Sequence, residues 1–207
     1  MKKICFINGS LRGKKASSSK LIKEIDKRLN EGAFIKEFIT AKQKVDDGYP
    51  EETLRKIADA DTLIIVFPLF CYCIPGALMR LLEEYYDYAM QGKQYNKKAA
   101  VYAVVNCAYV EPEINMEAIR VIKNFCARLG IEWRFAVAIG CGPVTLITKF
   151  MDFKLKKALK TVANDISNHS RPADENFFIR PVPPRIIMDS IRMHLDRKAL
   201  KRSEQEP

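Results

Sequence analysis

The sequence has few of the patterns that mark membrane spans, secretion or metal centres. No apolar run in its 207 residues reaches the ~18 residues that a transmembrane helix needs. A strand pattern begins within the first few residues, which leaves no room for a signal peptide. The six cysteines match no zinc-ligand spacing, and the two histidines, His169 and His194, lie far apart in polar contexts. We therefore expect a cytoplasmic protein with reduced thiols, surface histidines and no bound metal.

The charge balance is basic, but it has no pattern typical of nucleic-acid binding. The formal net charge is +10, with 48% hydrophobic and 29% charged residues, which is an ordinary composition for a globular protein with one buried core. No basic cluster alternates with aromatic residues along a strand, and no DNA- or RNA-binding motif is visible. We therefore expect small-molecule partners and no nucleic acid.

Apolar runs alternate with helical patterns five times along the chain. Predicted strands cover residues 4–7, 33–39, 62–67, 98–105 and 132–139, and predicted helices follow them, the first ending near residue 32 and the others at about 50–60, 77–90, 115–129 and 147–167. This alternation predicts a parallel sheet with helices on both faces, joined by right-handed crossovers. Ligands of such sheets bind at the carboxyl ends of the strands, which here means residues 9–19, 68–76 and 106–115.

The first of these loops has the composition of a phosphate-binding loop. Asn8-Gly9-Ser10 ends the first strand, and hydroxyl and basic side chains follow before a helix begins. Backbone N–H groups at a helix start favour an anion, and serine hydroxyls with Arg12 can donate to it directly. The pattern is neither a Walker A loop nor a dinucleotide fingerprint. The alternative is an ordinary helix cap formed by one of the serines at positions 17–19.

The second loop, Pro68–Gly76, is bracketed by prolines and carries Phe70, Tyr72 and Ile74. Aromatic side chains after a central strand can cover a planar ring, and backbone N–H groups can bond its polar edge. A flat heteroaromatic group with a phosphate tail fits the first two loops together. FMN is such a molecule.

These motifs resemble those of the flavodoxin-like NAD(P)H-dependent FMN reductases. Asn-Gly-Ser-Leu-Arg at 8–12 with Ser-Ser-Ser-Lys-Leu at 17–21 resembles their phosphate loop, and Pro-Leu-Phe-Cys-Tyr-Cys-Ile-Pro-Gly at 68–76 resembles their isoalloxazine loop. Residues 106–113 and 133–142 look like corresponding segments in part of the family. The resemblance covers roughly residues 1–165. It implies a three-layer fold with five parallel strands in the order 2-1-3-4-5. The triple-cysteine cluster of the iron–sulfur branch is missing.

The resemblance also implies a set of cofactor-binding residues. The phosphate of FMN is assigned to Ser10, Arg12, Ser17, Ser18 and Ser19. The ring is assigned to Pro68, Leu69, Phe70, Cys71, Tyr72, Cys73 and Ile74, and its other edge to Asn106, Cys107, Ala108 and Tyr109. The implied activity takes hydride from NAD(P)H and passes electrons to a small quinone, flavin or nitro compound. The cofactor performs this chemistry, so no catalytic side chain is named. A homodimer is implied as well.

The composition changes near residue 170, so we divide the chain into an FMN-binding domain at 1–169 and a C-terminal extension at 170–207. Residues 170–184 are predicted as an extended connection, and 185–202 as a basic amphipathic helix. We expect this helix to pack on the core or on a second subunit rather than on a membrane surface.

Three alternatives stay open at this stage. The chain can be a non-enzymatic flavodoxin-type electron carrier, although such carriers are usually acidic. It can also be a binding protein of the same fold without flavin. Within the reductase hypothesis, Cys71 and Cys73 can serve as redox thiols or as small apolar residues.

Overall fold

The chain folds around one parallel sheet that lies between two layers of helices. The computed structural model describes residues 1–41, 48–142 and 153–180. The strands are β1 Lys2–Asn8, β2 Phe34–Thr40, β3 Thr62–Pro68, β4 Ala100–Asn106, β5 Glu132–Ile139 and β6 Phe177–Ile179. The helices are α1 Ser17–Asp26, α2 Glu51–Ala58, α3 Gly76–Met90, α4 Met116–Leu129 and α5 Phe153–Asn168. Short 3₁₀ turns at Gly13–Lys15 and Pro112–Asn115 precede α1 and α4.

The predicted strand order is confirmed and extended by one strand. The sheet order is β2-β1-β3-β4-β5-β6, whereas the sequence predicted five strands. Phe177, Phe178 and Ile179, predicted as part of an extended connection, pair with Val137, Ala138 and Ile139 of β5. A strand of three residues is too short to show a period of two. The first part of the predicted extension therefore completes the edge of the sheet.

The inner strands β1, β3, β4 and β5 are buried on both faces because their two sets of side chains enter two separate cores. Cys5 and Ile7 of β1 pack with residues of α2, α3 and α4. Ile4 and Phe6, the alternate residues, pack with residues of α1 and α5. This explains why β1, β3, β4 and β5 are nearly continuous apolar runs, as is usual in parallel sheets.

Helix bounds differ from the predicted ones mainly at the ends. Helix α1 ends at Asp26, several residues before the predicted stop near Gly32. The predicted start of the last core helix at residue 147 and the predicted helix at 185–202 lie outside the described residues. No described helix has the length and apolar character needed to cross a membrane.

A buried ion pair joins β4, β5 and α5 in the half of the sheet away from the strands' carboxyl ends. The carboxylate of Asp165 is fully buried. It accepts hydrogen bonds from the Tyr102 hydroxyl at 2.9 Å, from the Arg134 guanidinium at 3.0–3.1 Å and from the Arg171 backbone N–H at 2.8 Å. Because the carboxylate has this many donors, its charge is compensated within the core. The contact to Arg171 also holds the chain that leads into β6.

Candidate functional site

The three predicted loops lie together at the end of the sheet formed by the carboxyl ends of the central strands. Backbone hydrogen bonds connect each loop to a neighbouring strand. The Gly9 N–H donates to the Val66 carbonyl at 2.9 Å, and the Leu69 N–H donates to the Asn106 carbonyl at 2.7 Å. The three loops therefore start from strands that are hydrogen-bonded to one another. They lie at the position where parallel α/β sheets bind ligands.

The first loop is organised by the side chain of Asn8, the last residue of β1. Its Nδ2 donates to the Gly13 carbonyl at 3.1 Å and to the Ser19 Oγ at 2.9 Å, and its Oδ1 accepts from the Ser10 N–H at 3.1 Å. Asn8 is only 4% exposed. One buried amide thus fixes the beginning, the middle and the end of the loop.

Gly9 allows the loop to lie against the central strand and the start of α3. A Cβ atom at this position would lie 2.8 Å from the Cβ of Phe67 and 2.7 Å from a methyl group of Leu78. Both distances are far shorter than a normal carbon–carbon contact. The glycine is therefore required by close packing.

The start of α1 has donors without partners inside the described protein. Its N-cap residue is Ala16, and no side chain caps the helix, so the alternative of a serine cap is wrong. The Ser19 N–H donates to the Ala16 carbonyl at 3.1 Å, whereas the N–H groups of Ser17 and Ser18, the first two of the helix, have no intrahelical acceptor. In the same turn, the Ser18 Oγ is buried and has no hydrogen-bond partner among the described residues. Buried hydroxyls are normally paired, so this first turn fits an anion that lies outside the chain.

The second loop is a tight hairpin whose corner residues have strained backbones. Phe70 and Cys73 exchange two backbone hydrogen bonds of 2.9 Å. Between them Cys71 and Tyr72 have φ angles of 47° and 61°. These are the positive φ values of a type I′ turn, which usually contains Asn or Gly. Non-glycine residues in this region cost on the order of 1–3 kcal/mol each and occur preferentially at binding sites.

Aromatic rings cover the outer side of the second and third loops. The Tyr72 and Tyr109 rings are stacked, with centroids 5.8 Å apart and planes inclined by 24°. Their hydroxyl oxygens are 3.1 Å apart, and Phe70 is exposed nearby in sequence. The site therefore has an aromatic wall that faces solvent.

The third loop packs closely on the end of β5. The N–H groups of Cys141 and Gly142 donate to the carbonyls of Tyr109 and Cys107 at 2.6 and 2.7 Å. A Cβ at Gly140 would lie 2.2 Å from the Val110 carbonyl oxygen. The glycine is therefore needed for this contact, which positions the loop that carries Tyr109.

The thiols beneath the third loop are neutral at physiological pH. The Cys107 Sγ lies 3.5 Å from the Tyr109 carbonyl oxygen and accepts from the Asn115 Nδ2 at 3.5 Å. Burial raises the pKa of the Cys107 thiol, and burial also raises that of the Cys141 thiol. None of the six cysteines forms a disulfide. The structure thus supplies no thiolate nucleophile beneath this loop.

The structure brings the predicted site residues to one edge but gives them different roles. Side chains exposed at the site belong to Arg12, Phe70, Cys71, Tyr72, Ala108 and Tyr109. Buried supporting residues are Ser10, Ser18, Ile74, Asn106 and Cys107. Partly buried ones are Ser17, Ser19, Pro68, Leu69 and Cys73. Ser19 donates its hydroxyl to the Gly13 carbonyl at 2.9 Å, which places it in the frame of the loop beside Asn8.

Sequence reasoning missed the role of Asn8 as organiser of the first loop. Its signal was an asparagine at a strand end before Gly-Ser, since Asn side chains often bond the backbone two residues on. The contact between Gly140 and Val110 had no local signal, because it joins residues 30 positions apart in the chain.

Solved structures with the same fold include several flavin-dependent reductases. An apo NADH:FMN oxidoreductase matches with a TM-score of 0.60 and 14% identity, covering 83% of this chain and 92% of its own. An FMN-dependent NADH-azoreductase from Bacillus anthracis in complex with FMN has a TM-score of 0.57, 16% identity, and coverage of 81% and 100%. An NADPH-quinone reductase from P. pentosaceus matches with a TM-score of 0.56 and 15% identity, covering 79% of this chain and 98% of its own. No curated protein sequence matches this chain.

These likenesses define the class of protein as a flavodoxin-like α/β fold, as predicted. The profile of the NADPH-dependent FMN reductase family matches residues 2–110, slightly more than half of the 207 residues. The chain belongs to the NADPH-dependent FMN reductase family. The predictions of a flavoprotein oxidoreductase, of FMN and of NAD(P)H as the reductant are thereby confirmed.

Proposed function

We propose that the three loops bind FMN as a prosthetic group, with its phosphate at the start of α1 and its ring against the second and third loops. The observation that carries this proposal is the start of α1. It has no side-chain cap, and the buried Ser18 hydroxyl there has no partner among the described residues. A phosphate would satisfy these donors, and the exposed Arg12 can add a charged hydrogen bond.

When bound, FMN supplies the capacity to take a hydride from a nicotinamide and deliver electrons to an acceptor. The residues of this chain position the phosphate and the ring of FMN. Asn8 holds the phosphate loop, the Phe70–Cys73 hairpin presents backbone groups to the ring edge, and the Tyr72 and Tyr109 rings limit access of water. None of these steps needs a side-chain acid or base.

The acceptor we propose is a small quinone, flavin or nitro compound. The overall reaction is balanced for a quinone: the hydride of NADPH and one solvent proton convert it to the hydroquinone, and NADP⁺ is released. We also propose that the enzyme is cytoplasmic and a homodimer in which the partner completes the ring end of the site.

A comparison of FMN with riboflavin tests the phosphate assignment directly, because the two differ only in the phosphate. Charged hydrogen bonds contribute about 1.5–3 kcal/mol each, so FMN should bind at least about tenfold more tightly. Quenching of flavin fluorescence measures both affinities. Equal affinities would contradict the assignment. In Ser18→Ala the preference for FMN should shrink, whereas riboflavin affinity should stay constant.

A further inference from the structure

We propose that Tyr72 and Tyr109 act as one positioning unit that determines the binding of planar second substrates at the ring end of the site. This inference rests on the proposed function. It extends the proposed function by assigning a substrate-specificity role to the contact between the two loops, beyond cofactor binding and the exclusion of water.

The two tyrosines depend on each other for their positions. Tyr72 is 59% exposed and Tyr109 is 46% exposed, so the core holds neither ring. Each hydroxyl has the other as its hydrogen-bond partner, at 3.1 Å. Tyr72 also belongs to the strained corner of the hairpin, with φ of 61°. The hydroxyl bond and the ring stack are therefore the contacts that orient both rings.

The spacing of the two rings determines which face a substrate can use. A ring inserted between two others needs about 3.5 Å on each side, or about 7 Å between the outer planes. The tyrosine centroids are only 5.8 Å apart. A planar substrate must therefore stack on an outer face of the pair, and the hydroxyl bond remains intact when it binds.

The segments that carry the two tyrosines have no charged side chain, and the charged residues that follow in the third loop, Glu111 and Glu113, are acidic. Residues 68–76 and 106–110 contain no Asp, Glu, Lys, Arg or His. Such a surface binds an uncharged aromatic ring and offers an anion no compensating partner. The substrate class that the pair selects is thus a neutral planar acceptor.

The test compares the FMN-loaded wild-type enzyme with Tyr72→Phe, Tyr109→Phe and the double variant. Each substitution removes the hydroxyl bond but keeps a ring. Net hydrogen bonds are worth about 0.5–1.5 kcal/mol, so we expect the KM for menadione to rise about two- to tenfold in either single variant. The double variant should show no further rise, because both changes remove the same bond. The KM for menadione should change by a larger factor than the kcat, because the bond orients the rings on which the acceptor stacks.

Ferricyanide serves as a second acceptor that distinguishes a loss of stacking from a general structural effect. It is an octahedral anion that cannot stack, so only general damage to the site would change its KM. Its KM should be equal in all four enzymes. Tyr86→Phe, at a half-buried position of α3 outside the loops, is the matched control and should leave both KM values unchanged. Additive effects, an unchanged menadione KM, or an equal change with ferricyanide would overturn the inference.

Two kinds of failure can be told apart in the same proteins. If wild-type protein binds FMN and NADPH reduces it, but the tyrosine variants behave as wild type, only this inference is wrong. If wild-type protein does not bind FMN, the proposed function fails, and this inference fails with it.

Discussion

Replacement of Asn8 by alanine tests whether one buried amide holds the phosphate loop. The substitution removes three hydrogen bonds, to the Gly13 carbonyl, the Ser19 Oγ and the Ser10 N–H. The Gly13 carbonyl keeps its bonds from the Ala16 N–H and the Ser19 Oγ. The Ser10 N–H loses its acceptor in a buried position. At about 0.5–1.5 kcal/mol per bond, we expect the free energy of unfolding to fall by about 2–4 kcal/mol.

The affinity for FMN should fall as well, because binding must then reorder the released loop. A loss of about 1.4–2.8 kcal/mol corresponds to a 10- to 100-fold higher Kd. Urea unfolding monitored by circular dichroism measures the stability, and flavin fluorescence quenching measures the Kd. Asn8→Asp keeps the acceptor for the Ser10 N–H but places a carboxylate beside the phosphate. It should therefore bind FMN more weakly than Asn8→Ala.

Asn96 offers a matched control at the amino ends of the strands, opposite the candidate site. Its side chain also makes three hydrogen bonds, with the Ala60 carbonyl, the Asp61 carboxylate and the Lys98 N–H. Asn96→Ala should lower stability without changing the Kd for FMN. If Asn8→Ala left both the stability and the Kd at wild-type values, the account of the loop would be refuted. Equal effects of Asn8→Ala and Asn96→Ala on the Kd for FMN would also refute it.

Further substitutions test other parts of the account. Arg12→Ala should weaken FMN binding by about 1.5–3 kcal/mol with wild-type stability, as expected for a charged hydrogen bond; an unchanged Kd in a fluorescence titration would remove Arg12 from the site. Gly140→Ala would place its Cβ 2.2 Å from the Val110 carbonyl oxygen, so it should lower the melting temperature and raise the KM for menadione; wild-type values of both would contradict the packing. Asp165→Asn should lower the free energy of unfolding by about 1.5–3 kcal/mol, because the buried Arg134 loses one of its two carboxylate partners and keeps only Glu132; a loss below about 1 kcal/mol in urea unfolding would show that the Asp165 contact is replaceable.

The sheet could be predicted from the sequence because its signals are local. Each central strand is a run of apolar residues, such as Thr62–Pro68, and each is followed by an amphipathic helix. The sixth strand could not be predicted in this way. It has three residues, and its position depends on contacts made by the preceding segment. The Asn176 side chain, for example, accepts from the Ala136 N–H at 2.7 Å.

The location of the candidate site followed from the fold, but the role of each residue did not. The sequence grouped Ser17, Ser18 and Ser19 as equivalent phosphate ligands. The structure separates them, since Ser18 is buried without a partner among the described residues and Ser19 bonds Asn8 and Gly13. Likewise, Ile74 belongs to the hydrophobic core rather than to the exposed surface of the ring loop. Such differences depend on side-chain direction in irregular loops, where no periodicity applies.

The central claim is that this chain binds FMN and transfers electrons from NADPH through it. The most direct test is an anaerobic absorbance spectrum of the purified protein, recorded after saturation with FMN and removal of free flavin, and again after addition of NADPH. The account predicts flavin bands that remain with the protein and bleach on addition of NADPH, then return when menadione is added. Protein without flavin bands after this treatment, or bound flavin that NADPH does not bleach, would contradict it.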